Sequence, residues 1–411
     1  MINHFFTHPG TLARLRQGVL AEFLDDYAKS LHDQGYARES IRIQLRLIGA
    51  FSHWLKRKSM PFQEIDGGIL DDFLRYHHRH HSAQNGDAST LQRFLTLALL
   101  HPDVGAKLSP NQAAENGPMI DEYSGYLAEE RGFAESTIRY YLLFAARFLR
   151  ENRIEDFREL ARIRAVDVTG FVQRHARQHS PGSARLMVTA LRCFFRYQNH
   201  KARISKDLAA AVPAVANWSL SSLPKSLPPG AVQRVLRGCN RRTPVGKRDH
   251  AILILLARLG LRGGEVAGLN MDDIDWSASQ ISIHGKGGSH VCMPLPADVG
   301  EALAVYLRSR PLCASRRVFV RSRAPFVAFS NSTAVAGIVR RALNHAGVES
   351  VCKGAHVFRH SLATELLRRG SSLDEIGEVL RHQSPNTTAI YAKVDLISLR
   401  SIALPWQGGA R

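Results

Sequence analysis

Apolar residues recur at helical spacing along most of the first half of the chain. Leu20, Phe23, Leu24, Tyr27 and Leu31 advance by threes and fours, and Ile41, Leu45, Ile48, Phe51 and Leu55 do the same. Each set places one apolar stripe on one face of a helix. Ser40, just ahead of the second stripe, is its expected N-cap. Two more helices are expected over residues 69–80 and 89–100. Pro102, Pro110, Gly117 and Pro118 then bracket a polar stretch at 112–116 that reads as a linker.

The pattern after this linker repeats the one before it. Gly35, Ala37, Ile41, Arg42, Leu45 and Phe51 recur as Gly132, Ala134, Ile138, Arg139, Leu142 and Phe148, each 97 positions later. Helices at 167–175 and 183–197 complete the second set. Two amphipathic helices that each follow a glycine turn would give part of this match. The run of identities favours a duplicated four-helix module. Residues 199–226, with Lys201, Arg203 and Lys206 followed by small residues and Pro224, read as a second linker.

The last block begins at Pro228-Pro229-Gly230, with a helix expected from Ala231 and a buried one over 249–259. Two alternating runs, 280–284 and 290–295, flank Gly285-Lys286-Gly287-Gly288 and predict a β-hairpin. Helices follow at 299–310, 332–345, 358–369 and 373–380. The expected class is mainly α with a small antiparallel β-sheet in the C-terminal domain. The expected division is a helical module at 1–110, a second at 117–215 and a C-terminal domain at 227–405.

Composition narrows the function. In 411 residues, 55 Lys and Arg stand against 36 Asp and Glu, a net charge of +19 that points to nucleic acid or another polyanion. The N-terminus lacks a basic segment followed by a long apolar one, and the best apolar run, Ala251 to Leu261, is interrupted by Arg258. A signal peptide and a membrane span are therefore not expected, and the chain reads as cytoplasmic, associated with the nucleoid. Five scattered cysteines with no CxxC pair argue against a disulfide framework or a cysteine-rich zinc site. His77, His78, His80 and His81 could suggest a metal, but without a cysteine or acidic partner in a zinc frame they read as an exposed basic helix. Asp272, Asp273 and Asp275 read as a turn leading into a strand, not a two-metal site.

Three stretches carry candidate chemistry. In "ARLGLRGGEVAGL" (Ala257 to Leu269), glycines interrupt a buried helix and leave Arg262 at a bend, with Glu265 one turn on and able to hold its guanidinium. In "HVFRHSLATELLRRG" (His356 to Gly370), His356 and Arg359 are three apart, face one side of a helix and can bracket a phosphate, with His360 next. In "LRHQSPNTTAIYAKVD" (Leu380 to Asp395), His382 precedes Tyr391 by nine residues, and Thr387 and Thr388 are expected to cap the helix holding the tyrosine.

In this order and framing the three stretches resemble the tyrosine recombinase, or phage integrase, family. The likeness covers residues 228–403, with a weaker likeness over 119–197 for its helical core-binding module; both helical modules would then be SAM-like. The resemblance implies that Arg262, Lys286, His356, Arg359, His382 and the nucleophile Tyr391 are catalytic, with Glu265 and His360 in support. Arg381 departs from the family, which most often has glycine there, and puts the local turn geometry in question.

The implied reaction is cleavage and rejoining of duplex DNA through a 3′-phosphotyrosyl link. Arg262 and Arg359 would clamp the phosphate, His356 and His382 would donate to it, and Lys286 would protonate the 5′-oxygen. No cofactor and no metal are required. The expected partners are double-stranded DNA and further copies of the chain, as a tetrameric synapse on two sites, with helper recombinases or accessory proteins possible. Arg139, Arg147, Arg185, Arg192, Arg196 and Lys201 are candidate DNA contacts. An apolar tail at 396–404 would dock on a neighbouring protomer or on its own domain. The additional N-terminal module favours an integrase or transposase of a mobile element over chromosome dimer resolution. A type IB topoisomerase-like enzyme and a non-catalytic DNA-binding or architectural protein are the alternatives.

Overall fold

Helices form at nearly all the positions where periodicity expects them. The structure, a computed structural model, describes residues 1–62, 65, 67–84, 86–99, 117–216, 224–285 and 290–394. The chain divides into two compact units, residues 1–101 with 222–411, and residues 102–221.

In the first unit the N-terminal helices are α1 (Pro9–Arg16), α2 (Leu24–Asp33), α3 (Arg38–Arg57), α4 (Gly67–His80) and α5 (Asp87–Leu99). Their core gathers Phe23, Tyr27, Phe51, Phe73 and Phe94, all buried. The apolar stripe beginning at Leu20 starts as a 3-10 turn before α2, and α1 was not visible in the periodicity. The helix α3 begins before Ser40, and its cap is Ala37. Ala37 has extended backbone (φ −61°, ψ 143°) two residues after Gly35, which is left-handed at φ 79°. The turn's backbone geometry therefore sets this start without a capping side chain.

The second unit holds α6 (Gly117–Gly125), α7 (Glu135–Glu151), α8 (Phe157–Leu160), α9 (Ala165–Ala176) and α10 (Pro181–His200). The internal repeat extends to backbone geometry. Gly132 is left-handed at φ 58°, and Ala134 caps α7 at φ −63°, ψ 143°. The two long helices also close alike, Met60 N–H donating to Leu55 O at 3.1 Å and Ile154 N–H to Leu149 O at 2.9 Å. The described first part of the linker expected over 199–226, residues 201–212, packs on this unit. Ile204, Leu208 and Val212 are buried in this unit's core, Arg203 pairs with Glu122 at 2.6 Å, and Arg192 Nη2 donates to Val212 O at 2.8 Å. Apolar residues at four-residue spacing pin it down, a signal outweighed in the sequence by the small residues around them.

The C-terminal part of the first unit comprises α11 (Ala231–Arg237), α12 (Pro244–Leu259), α13 (Gly263–Gly268), a three-stranded sheet, α14 (Ala297–Leu307), α15 (Ser332–His345), α16 (His356–Arg368), α17 (Leu373–Leu380) and α18 (Pro385–Thr388). The helix α12 starts earlier than its apolar run because Thr243 Oγ1 accepts from Gly246 N–H at 3.1 Å and Pro244 occupies its first turn. Its residues Ala251 to Leu256 are all buried, which makes it the central helix of this core. The sheet is antiparallel in the order β1 (Ile274–Asp275), β2 (Gln280–His284), β3 (His290–Pro294), with Ser282 paired to Cys292. The aspartates at 272–275 form the 3-10 turn and short strand that feed β2. Among the described residues no helix is long and apolar enough to cross a membrane.

Candidate active site

Three segments far apart in sequence converge at the end of α12. That helix stops at Gly260, left-handed at φ 57°, where a Cβ would lie 2.7 Å from Leu380 Cδ2 and 3.0 Å from Leu362 Cδ2. Only glycine satisfies both the turn and this approach of α16 and α17. The chain then bends, and Arg262 becomes the residue that caps α13.

Glu265 occupies the first turn of α13. Its Oε2 accepts the Arg262 backbone N–H at 2.9 Å and its Oε1 accepts from Arg262 Nη1 at 2.7 Å. The carboxylate side chain is only 5% exposed, and Arg262 is 35% exposed. Burial alone would raise the Glu265 pKa. The hydrogen bonds from Arg262 and the charges of Arg381 and Arg262 outweigh it and hold the pKa below the ordinary value.

The second segment enters at the start of α16. His356 is its first residue, open to solvent, yet the surrounding protein and then the charges of Arg359 and Arg262 hold its pKa below the usual histidine value. Arg359, 4% exposed, points inward. Its Nη1 donates to Gly260 O at 2.6 Å and its Nη2 to Leu380 O, so it ties the first segment to the third. Burial, then the neighbouring Arg262 and Arg381 charges, lower its pKa to about 10.

The third segment brings His382 and Tyr391. His382 Nδ1 shares a 2.7 Å hydrogen bond with Thr388 Oγ1, and desolvation followed by the Arg359 charge lowers its pKa to about 4, so the ring is neutral at pH 7. Thr387 and Thr388 do not cap the helix as expected. The cap position of α18 is Ser384, and the Thr388 hydroxyl orients His382 instead. Tyr391 follows on a 3-10 turn, Ala389–Val394, and is 1% exposed. Its hydroxyl lies 2.9 Å from His360 Nδ1, and burial pushes its pKa up to about 12. His360 has its pKa lowered by burial and by the charges of His356 and Arg359, so the protonated phenol faces a neutral ring.

The structure therefore brings the segments carrying Arg262, Glu265, His356, Arg359, His360, His382 and Tyr391 together, with three arginines, Arg262, Arg359 and Arg381, at their meeting point. Lys286 lies outside the described residues, between β2 and β3 in sequence, as does the tail at 396–404. Sequence reasoning missed Thr388's role and treated Arg381 only as a departure. Arg381 Nη2 donates to Glu265 Oε2 at 3.1 Å from a side chain only 9% exposed. A bulky cation at the residue ending a helix, where glycine is favoured, was the available signal.

The candidate DNA contacts in the helical module behave unequally. Arg192 is held by Val212 O, Arg139 and Arg147 pair with Glu135 and Glu151, and Lys201 lies over the Tyr197 ring at 5.8 Å. Arg185 and Arg196 are exposed.

The N-terminal helices carry a second basic surface. Arg14, Arg46, His53, Arg57, His77 and His81 line one cleft between α1, α3 and α4. Arg57 donates to the Tyr76 hydroxyl at 2.9 Å, and the rings of His77 and His81 stack with centroids 4.5 Å apart. His78 pairs at 3.0 Å with Asp87, whose carboxylate also lines the cleft. Among the described residues no group of three or more His, Cys, Asp or Glu side chains is placed to hold a metal ion.

Comparison with known proteins follows the same division. Residues 225–396 match the phage integrase family model, and residues 120–201 match that of the phage integrase N-terminal SAM-like domain. The putative integrase/recombinase y4rA of Sinorhizobium fredii is 41% identical over 415 residues, covering 100% of both chains. The tyrosine recombinase XerA of Thermococcus onnurineus is 31% identical over 69% of this chain and 93% of its own. This chain belongs to the tyrosine recombinase, or phage integrase, family. The recombinase also shares its fold with XerH bound to palindromic difH in a post-cleavage complex, at a TM-score of 0.54 and 21% identity over 81% of this chain and 93% of that one. A lambda integrase dimer bound to a COC′ core site gives a TM-score of 0.52 at 17% identity, over 75% and 88% of the two chains. As a family member, the recombinase binds DNA, works as an oligomer, and breaks and rejoins strands through a phosphotyrosine intermediate.

Proposed function

We propose that Tyr391 is the nucleophile, and that the recombinase acts on two duplex sites of a mobile element within a tetrameric synapse. The observation that carries this reading is the convergence of the Arg262, Arg359 and Tyr391 segments, with the rings of two neutral histidines, His360 and His382, beside the tyrosine. Attack by Tyr391 Oη on phosphorus forms the phosphotyrosyl bond and breaks the bond to the 5′-oxygen. Charge grows on the non-bridging oxygens, where Arg262, Arg359, His356 and His382 supply donors, of which Arg262, Arg359 and His382 are held by Glu265, Gly260 O and Thr388. The tyrosine proton has an acceptor within reach in His360 Nδ1. Lys286 protonates the departing 5′-oxygen. The bond energy stays in the phosphotyrosine, and a 5′-hydroxyl from a partner strand reverses the step. Tyr391 is buried in the structure and must reach the phosphate for attack.

We further propose that the N-terminal cleft takes the phosphates of DNA flanking the core site, which extends the clamp beyond the minimal recombinase. Its arginines, Arg14, Arg46 and Arg57, are open to solvent, as phosphate contacts require.

The test uses labelled fragments of the DNA flanking the gene, incubated with wild type or Tyr391→Phe and run on denaturing protein gels. A covalent adduct confined to wild type supports the assignment and maps the site. An adduct formed equally by Tyr391→Phe removes the nucleophile. DNA relaxation that needs no second site would favour the topoisomerase-like alternative.

A further inference from the structure

The residue that joins the three motif segments is one that none of the assigned catalytic roles includes. Arg381 ends α17 in the left-handed region, φ 55° and ψ 50°, a conformation that residues other than glycine rarely adopt. Its side chain nevertheless runs inward. Nη2 donates to Glu265 Oε2 at 3.1 Å, and Nη1 lies 3.3 Å from Leu259 O, the last residue of α12.

Glu265 therefore receives three donors from two motifs: the Arg262 amide, the Arg262 guanidinium and the Arg381 guanidinium. Arg262 alone could swing with a carboxylate that had only one partner. With Arg381 on the inner oxygen, the carboxylate is fixed from both sides, and the exposed edge of Arg262 is held toward solvent. The neighbours of Arg381 extend the lock. Leu380 O accepts from Arg359, and His382 follows directly. A buried ion pair is weak evidence for stability, since desolvation offsets most of the attraction, and here it also sits on an unfavourable backbone. Its use lies in geometry.

We propose that Arg381 is a positioning residue for strand cleavage: acting through Glu265, it fixes the Arg262 guanidinium against the scissile phosphate and couples that arginine to the turn carrying His382. The inference rests on the active-site reading above.

The experiment compares wild type, Arg381→Gly and Arg381→Lys on a nicked duplex built from the site mapped by the wild-type adduct. Single-turnover cleavage at saturating protein, duplex affinity and melting temperature are read together. Glycine suits the left-handed turn and Glu265 keeps Arg262, which offsets part of the cost of losing one cation from a buried carboxylate, so Arg381→Gly should remain folded at the assay temperature and bind DNA within about twofold. Its cleavage should be slower by about 10- to 100-fold, the scale expected for a misplaced catalytic group. Millimolar methylguanidinium should restore several-fold of that loss and leave wild type unchanged. Arg381→Lys, which lacks the planar fork, should be only partly active. Cleavage by Arg381→Gly at the wild-type rate overturns the inference while leaving Tyr391 chemistry standing. A loss matched by lower melting and weaker binding, with no rescue, overturns it in favour of a purely structural role. Failure of wild type itself to form an adduct overturns the active-site reading, and this inference with it.

Discussion

Two regions of this recombinase collect arginine and histidine, and they hold them in opposite ways. At the candidate active site the cations are locked. Arg359 is buried against two backbone carbonyls, Arg381 and Arg262 share one buried carboxylate, and His382 and His360 are kept neutral by burial and by neighbouring cations. In the N-terminal cleft Arg14, Arg46 and Arg57 lie on the surface, with the Phe6 ring beside Arg46 and the Tyr76 ring beside Arg57. Locked donors need no rearrangement when charge develops on a phosphate, which suits a reaction. Open cations keep their hydration and exchange it for phosphates at many positions, which suits affinity without chemistry. Charge alone does not distinguish a catalytic pocket from a binding surface; the partners of each charge do.

The largest effects should come from the locked set. Arg359→Lys removes a planar donor that contacts both Gly260 O and Leu380 O. Single-turnover cleavage should fall by about 10²- to 10³-fold, with duplex affinity little changed. A comparable loss in affinity would show that this arginine binds ground-state DNA and would blur the contrast. His360→Phe removes only the partner of the Tyr391 hydroxyl and should cost about 10²-fold, the low end of general acid–base assistance. An unchanged rate would send the tyrosine proton elsewhere.

The open set should respond in the other currency. Replacing Arg14, Arg46 and Arg57 together by alanine should weaken binding to a duplex with long flanks and flatten its salt dependence by about two to three in the log–log slope. Binding to a core-length duplex and the cleavage rate of the bound complex should stay within about twofold. Equal losses on long and short duplexes would remove the extended clamp.

The smallest effect is a matter of pH. Glu265 has its pKa lowered in the folded chain, so its ionised form stabilises the fold. That contribution is complete above the ordinary carboxylate pKa of about 4.3 and is lost as pH falls through the lowered value. Glu265→Gln should melt below wild type at pH 7, and the gap should close on acidification. A gap independent of pH would mean that the carboxylate's charge is not what the two arginines require.

How much of this was legible beforehand differs between the same two regions. The bend at Gly260 was legible from its glycines, and the Arg262–Glu265 contact follows from a short spacing, because residues three apart at a helix start are neighbours whatever surrounds them. The hairpin and the helix bounds at 332–345 and 373–380 were readable for the same reason. The short strand β1 was not, because two residues carry no alternation, and α1 was not, because only Leu15 of its residues is buried. Ser40 and Thr387 were misread because a capping side chain is a local preference that backbone geometry can replace, as Ala37 does. Arg381 was noticed for the wrong reason. Its partner Glu265 lies 116 residues away, and only the fold brings them together. The N-terminal cleft likewise draws on α1, α3 and α4, so His77 to His81 could be seen as a basic cluster but not as one wall of a cleft.

The most direct test of the central claim is the chemical identity of the covalent link. Wild-type recombinase trapped on its nicked site would be digested with nuclease and trypsin, and the modified peptide sequenced by mass spectrometry. The account predicts a 3′-phosphonucleotide on Tyr391 and on no other residue. A nucleotide carried by any other side chain, or attached through its 5′ end, would contradict it.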